Sequence, residues 1–344
     1  MRPIVRDHHP TFGVVAGVWL RYYRYTTTEG DLVADLESSP LGVILTGGRA
    51  TRLRPLSEGM PKSLIPLLNR PLISYSMEML LRAGITEVVV VVGGQDDRTG
   101  PAALDAAPAG MTVHIAVQAK PRGSGDALLS AGSLLDGRYV VVAAVDTVLR
   151  GDEDAPGSLS KQVQSFLASG VDAWYVLHET DRPREMGIVV LDGERVLHLE
   201  EKPAEPRSNL ALVGIWMVSP RAVERLRANS TLSVRGEIEL SGTLSVMHAE
   251  GYPMGGAEFH GDWMDTGTLA SLLATQRALL TVPALVAPDA TVEDCTLGLN
   301  VVVGAGAQLR GCTLRDVLVV PGAHLDGVVA TNEVITADGT RTRV

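Results

Sequence analysis

Leu41-Gly42-Val43-Ile44-Leu45-Thr46-Gly47-Gly48-Arg49-Ala50-Thr51-Arg52-Leu53-Arg54-Pro55, followed by Pro61-Lys62, is the stretch on which the reading of this chain turns. Leu41–Leu45 is a short apolar run of buried-strand type, and it ends in Thr46-Gly47-Gly48. Glycines let backbone N–H groups approach phosphate oxygens closely, while Arg52 and Lys62 supply charge-assisted hydrogen bonds. A strand that feeds a glycine-rich, cationic loop has the chemistry of a polyphosphate site. It is not a P-loop, which needs Gly-Lys-Ser/Thr after a four-residue spacer, nor the G-x-G-x-x-G dinucleotide loop. An ordinary glycine-rich turn is the competing reading of the loop alone.

Outward from this loop the pattern alternates. Pro71–Ala83 reads as a helix closed by Gly84, and Glu87–Val92 is nearly pure valine, as in a strand covered on both faces. Thr112–Val117 reads as strand, Ser124–Leu135 as helix, and Tyr139–Val145 as a strand ending at Asp146. Leu159–Ala168 continues as helix and Ala173–Leu177 as strand. Alternation of this kind predicts an α/β fold with a Rossmann-like, mainly parallel sheet flanked by helices. Beyond Gly187 the rhythm is hairpin-like: Gly187–Leu191 and Arg195–Leu199 join through Asp192-Gly193. Leu210–Val218 is a further strand and Ala270–Leu280 a helix.

The expected organisation is therefore an extension over 1–40, an α/β domain over 41–280 and a distinct tail over 281–344. Residues 1–40 show no sustained period and are expected to be flexible. In the tail, apolar residues recur about every six positions between small ones, as at Val286, Val292, Val303, Leu309 and Val320. This resembles the hexapeptide repeat of a left-handed parallel β-helix, here about three coils long. Cys295 and Cys312 occupy matching places and read as stacked thiols.

Composition narrows the function. Of 344 residues, 40 are acidic and 30 basic, a net charge of −10 that argues against a nucleic-acid or anionic-membrane binder. No apolar run reaches the ~18–20 residues of a membrane span. Two cysteines make no disulfide framework, so the expected location is cytoplasmic. Lysine is rare beside arginine: Lys62, Lys120, Lys161 and Lys202 stand alone, so each retained lysine hints at a need for a compact ammonium. The eight histidines show no metal-ligand spacing.

The loop resembles the G-G-x-G-T-R-x(9)-P-K signature of sugar-1-phosphate nucleotidylyltransferases, with Ala50 in place of the usual third glycine. Further segments follow that family in order. They are Gln118 to Leu128, the strand ending Val145-Asp146, Met186-Gly187, Glu200-Glu201-Lys202-Pro203 with Ser208 to Gly214, Arg235-Gly236-Glu237-Ile238-Glu239, and Trp263-Met264-Asp265-Thr266-Gly267. The Ser208–Gly214 phrase and the tail are most similar to the long form of the glucose-1-phosphate thymidylyltransferase branch.

The resemblance implies NTP + sugar 1-phosphate → NDP-sugar + pyrophosphate, with NTP and sugar 1-phosphate as partners and a homo-oligomer built through the tail or the transferase domain. It implies Arg52, Lys62 and Lys202 as catalytic cations. Gly47, Gly48, Thr51, Arg52, Gln118 and Gly123 are implied to bind nucleotide. Gly187, Glu201, Lys202, Gly214 and Trp263 are implied to bind the sugar phosphate, and Asp146 and Asp265 to bind Mg²⁺. A bidentate Gln118 amide would suit thymine, uracil or guanine. The implied pairing is dTTP or UTP with glucose 1-phosphate. Guanylyl transfer to mannose 1-phosphate and a catalytically weak regulatory paralogue, the latter favoured only by Ala50 and Val145, stay open at this point.

Overall fold

The computed structural model describes residues 11–15, 18–22, 39–48, 50–228 and 236–344. Most of the extension expected to be flexible lies outside these residues. Within it, β1 (Thr11–Val15) and β2 (Val18–Tyr22) pair antiparallel. The centre of the fold is a nine-stranded sheet. Its members are β3 (Leu41–Leu45), β4 (Glu87–Gly93), β5 (Thr112–Gln118), β6 (Val140–Ala144), β8 (Ala173–Glu179), β9 (Gly187–Asp192), β10 (Arg195–Glu201), β11 (Leu210–Val218) and β12 (Met254–Glu258). Their order is β8-β12-β10-β9-β11-β6-β3-β4-β5, with β8 also paired to β11.

The half β6-β3-β4-β5 is parallel throughout. From β11 onward antiparallel pairings prevail, although β8 and β12 run parallel. The sheet is thus mixed where a mainly parallel one was expected. The physical reason is the hairpin of β9 and β10, turned by Gly193 at φ +59°, which inserts antiparallel strands where a helical crossover would have kept the direction.

Both faces of the parallel half are dry. Ile44, Val88, Val90, Val141 and Ala143 belong to one core, and Leu41, Val43, Val89, Val91 and Val142 to the other. Side chains alternate across a strand, so covering both faces requires the continuous valine runs seen in the sequence. Helix α1 (Leu72–Arg82) packs so closely that a Cβ on Gly42 would lie 2.8 Å from Val88 Cγ1 and 3.1 Å from Leu80 Cδ1. The helix expected over 124–135 is α3 (Ser124–Leu129) followed by a 3₁₀ turn (Gly132–Leu135) that opens on Gly132 at φ +61°. The short helix α2 (Thr99–Asp105) carries no sustained apolar period and was not foreseen.

Three sets of short parallel strands build the tail. Ala284 pairs with Val301, which pairs with Val317, which pairs with Glu333. Thr291, Gln308 and His324 form a second row, and Thr296, Thr313 and Val329 a third. The repeat is therefore 16 or 17 residues, shorter than three sides of six. Corners turn through left-handed residues, at Asn300, Asp316 and Asn332 in one row and at Asp294, Gly311 and Gly327 in another. These are the residue types that tolerate that conformation. Val301, Val303, Val317 and Val319 fill the interior. Between them, Val302, Leu318 and Val334 point outward and join the core of the α/β region. They share that core with Leu269, Leu272 and Leu273 of helix α7 (Leu269–Leu279). Gln276 Nε2 donates to Asn300 O at 3.1 Å, and Arg277 pairs with Asp316 at 2.9 Å, along the same seam. The last strand, Arg341–Arg343, pairs antiparallel with 333–335 and covers that end of the stack. Among the described residues, no helix is long and apolar enough to cross a membrane.

Candidate active site

The parallel strands end together, and their carboxyl ends open onto a cavity of about 700 Å³ lined by Gly47, Gly48, Lys62, Gly93, Asp96 and Gln118. A ligand site at this edge follows the general rule for open α/β sheets. Thr46 anchors the loop, its hydroxyl donating to Val91 O at 2.7 Å. Gly48 sits at φ +134° with open space around its α-carbon. Ala50 holds φ +44°, ψ +34°, so a side chain occupies a left-handed position where the resembling motif has glycine. Thr51 and Arg52 are exposed on the following turn, anchored by buried Leu53. Arg49 and Arg235 lie outside the described residues.

Asp146 and Asp265 are far apart in sequence, and a two-stranded ribbon brings them together. In it β7 (Thr147–Arg150) pairs antiparallel with β13 (Asp262–Asp265), register Thr147 to Asp265. Thr266 N and Oγ1 both donate to Asp146 O, at 2.9 and 3.0 Å. Three side chains converge at Gly267: a Cβ there would meet Asp265 Oδ1 at 2.9 Å, Arg52 Nη2 at 3.2 Å and Asp146 Oδ2 at 3.2 Å. Lys62 Nζ is ion-paired with Asp146 Oδ2. Burial, and then the Asp146 charge, push the Asp265 carboxyl above the ordinary range, against the opposing pull of the Gly267 N–H, Lys62 and Arg52. Two carboxylates and two cations thus meet beside the cavity, which Lys62 also lines.

A second group surrounds Gln118, which is 7% exposed at the end of β5. Its Nε2 donates to Gly123 O at 3.0 Å and to Asp126 Oδ2 at 2.9 Å. Both neighbours are acceptors, so the amide nitrogen must face them. The carbonyl oxygen Oε1 is left toward Gly47, whose added Cβ would lie 3.7 Å from it. The expected bidentate reading of a base by this amide is therefore corrected, since its donors are already used. Gly123 is required as glycine: it has φ +105°, and a Cβ would stand 2.4 Å from Ile238 O. The 236–239 segment braces this loop, with Ile238 N donating to Arg122 O at 2.6 Å and Ile238 O accepting from Gly125 N at 2.8 Å.

A third group lies along β9, β10 and β11. Gly187 is tightly packed: a Cβ would sit 2.8 Å from Leu212 Cδ1 and 3.0 Å from Glu201 Oε2, so both side chains would have to shift. Gly214, at φ +83°, is pressed against Thr147, whose hydroxyl donates to Val213 O at 2.6 Å. Lys202 has φ +47°, a strained conformation for a long side chain. Its exposed ammonium is 3.6 Å from Glu201 Oε1 and makes no ion pair with Asp146 or Asp265. Trp263 stands beside the His178 ring, centroids 6.0 Å apart, and its buried indole N–H has no protein acceptor. Among the described residues, no cluster of three or more His, Cys, Asp or Glu could hold a metal by itself.

Sequence reasoning missed the loop after β4. Asp96 accepts from Thr99 N at 2.9 Å and from Thr99 Oγ1 at 2.6 Å, and Thr99 Oγ1 meets Ser63 Oγ at 2.6 Å, next to Lys62. Its signal was the glycine pair Gly93-Gly94 at the carboxyl end of a valine strand.

A glycine-rich cationic loop, a carboxylate pair and a cavity of about 700 Å³ at the carboxyl edge of such a sheet have the chemistry that nucleotide transfer needs. The nucleotidyl transferase family profile matches residues 41–282. The glucose-1-phosphate thymidylyltransferase of Streptomyces griseus is 33% identical over 269 residues, 78% of this chain and 74% of that protein. A Haloferax volcanii nucleotidyltransferase of low-salt glycan biosynthesis is 32% identical over 73% of this chain and 71% of its own length. A solved Bacillus anthracis structure, described as a glucose-1-phosphate thymidylyltransferase in complex with sucrose, shares the fold. Its TM-score is 0.62 at 24% identity, covering 71% of this chain and 96% of that one. The chain belongs to the nucleotidyl transferase family and is a sugar-1-phosphate nucleotidylyltransferase that forms an NDP-sugar.

Proposed function

We propose that this enzyme couples dTTP, and less efficiently UTP, to glucose 1-phosphate with release of pyrophosphate. The observation that carries this reading is the corner where Arg52, Lys62, Asp146 and Asp265 converge beside the Gln118 pocket. The thymidylyltransferase relatives supply the choice of substrates. A sugar phosphate oxygen attacks the α-phosphorus in line. That oxygen is already anionic, so the protein's task is positioning and charge stabilisation rather than proton removal.

In this reading Gly47, Gly48 and Thr51 receive the phosphates on backbone N–H groups, and Arg52 holds the leaving pyrophosphate. Lys62, kept close by Asp146, turns to the α-phosphate as nucleotide enters. Gln118 and Gly123 face the base. Gly187, Glu201, Gly214 and Trp263 line the sugar side, where the unpaired Trp263 indole N–H suits a hydroxyl oxygen. Lys202 holds the sugar phosphate.

Asp146 and Asp265 fit a divalent cation, which we take to be Mg²⁺. They are hard oxygen donors, and burial followed by the Asp146 charge raises the Asp265 carboxyl, a cost that a bound cation would offset. With two carboxylates only, substrate phosphates and water would have to complete the ligand set. Bound there, Mg²⁺ supplies neutralisation of phosphate charge.

We further infer a transferase unit over 41–280 and a left-handed parallel β-helix over 281–344. Homo-oligomers through either unit and a cytoplasmic setting complete the reading. A matrix of NTPs against sugar 1-phosphates, read by pyrophosphate release, tests it. The expected best pair is dTTP with glucose 1-phosphate. Highest kcat/KM for GTP with mannose 1-phosphate would leave the family intact and remove the thymidylyl assignment.

A further inference from the structure

Asp126 is, among the described residues, a charged side chain bonded to Gln118 that no part of the mechanism uses. It stands on α3, one turn beyond Gly123, with its carboxylate mostly covered. One oxygen accepts from Gln118 Nε2 at 2.9 Å, and the other from Arg122 Nη2 at 2.7 Å. With Gly123 O on the same nitrogen, Gln118 is clamped by two acceptors. Turning the amide over would set its carbonyl oxygen against a carboxylate and a carbonyl, a buried like-to-like clash.

We propose that Asp126 is a specificity-determining positioning residue: it fixes the Gln118 amide so that only Oε1 faces the nucleobase. This rests on the reading that Gln118 lines the base site. An acceptor at that place matches the ring N3–H of uracil or thymine. Cytosine presents a lone pair at the same ring nitrogen, so the two oppose each other. The methyl and the ribose play no part when UTP and CTP are compared, because these differ only at the 4-substituent and at N3. The clamp therefore selects bases that carry a ring N–H and rejects their amino counterparts.

The test measures kcat/KM for UTP and CTP with glucose 1-phosphate in the wild-type enzyme, Asp126→Ala, Asp126→Asn and Gln118→Leu. The wild type is expected to favour UTP by more than about tenfold, the scale set by one charge-supported hydrogen bond. Asp126→Ala removes one of the two acceptors and lets the amide turn. The UTP:CTP ratio should then fall about tenfold, with CTP use rising in absolute terms. Asp126→Asn keeps one oxygen and should retain an intermediate ratio.

A merely structural role would lower both nucleotides together and leave the ratio unchanged, which overturns the proposal. No preference for UTP in the wild type overturns it as well. Gln118→Leu separates the two readings. If it leaves UTP kinetics untouched, the base-site assignment fails. If it impairs UTP while Asp126→Ala keeps the ratio, only the clamp fails.

Discussion

Leu318→Ala measures whether the tail is an accessory or part of the core. Leu318 is 1% exposed and points out of the strand stack, into a cluster with Leu269, Leu272 and Leu273 of α7. Truncating a buried leucine to alanine costs about 2–5 kcal/mol, from lost transfer free energy and the residual cavity. At about 2.1 cal/mol/K of unfolding entropy per residue, each kcal/mol moves the midpoint of this 344-residue chain by roughly 1.4 °C, so a fall of about 3–7 °C is expected. The α7 helix starts at Leu269, directly after the Asp265–Thr268 loop, so the loss should appear in the transition that reports the active site. Differential scanning calorimetry and residual nucleotidyl transfer after heating should fall together. Val329→Ala is the control: Val329 is 68% exposed, and its truncation should change stability by less than about 0.5 kcal/mol. Removal of 281–344 should uncover Leu272 and Leu273 and give aggregation rather than a smaller active enzyme. Two separate transitions, with activity following the one Leu318→Ala leaves unmoved, would refute the reasoning.

Asp146→Asn and Asp265→Asn keep shape and remove charge, and each should lower kcat at least ~10²-fold; full activity in either, or in excess EDTA, contradicts the metal assignment. Lys202→Ala should raise KM for the sugar phosphate far more than for NTP, and Lys202→Arg should remain impaired because a fork replaces a compact ammonium. Ala50→Gly should raise stability by about 0.5–1 kcal/mol in urea titration, since relief of a left-handed alanine exceeds the added freedom of the unfolded chain. Glu87 offers a pH test. Its hydrogen bond to His114, aided by Arg138, holds its carboxyl at about 2, below its ordinary 4.5. A depressed carboxyl gives stability that is complete above 4.5 and lost as pH falls toward 2. Glu87→Gln should therefore cost ~1–3 kcal/mol at pH 7, after allowance for partial exposure, and the gap in urea titrations should close across that window.

The sequence displayed those parts of the fold whose signal is local. The valine run of β4 and the apolar face of α1 depend on one segment each, and their ends fell within a residue or two of expectation. The direction of strands is not local. Nothing within Ala173–Glu179 says that it runs parallel to β12 and antiparallel to β11, because that depends on where the β9–β10 hairpin inserts. The tail shows the same limit in another form. Its inward valines gave the repeat, but Val302, Leu318 and Val334 are just as apolar and face the other way. Three consecutive aliphatic residues state that both faces are covered, not what covers them.

For the candidate site the division is sharper. Arg52, Lys62, Asp146 and Asp265 were found as types at motif positions, and the structure places all four at one corner. What put them there is the register of β7 against β13 and the two Thr266 bonds to Asp146 O, neither of which any spacing encodes. Gln118 shows how far residue type alone misleads. An amide carries donors and an acceptor, and from the sequence all of them were free to meet a base. Gly123 O and Asp126 consume the donors, so the group left unpaired is an acceptor only. The chemistry of a recognition residue is thus what its neighbours leave unpaired. Here that remainder is a single oxygen, which under the proposed clamp would distinguish uracil from cytosine by a proton rather than by shape.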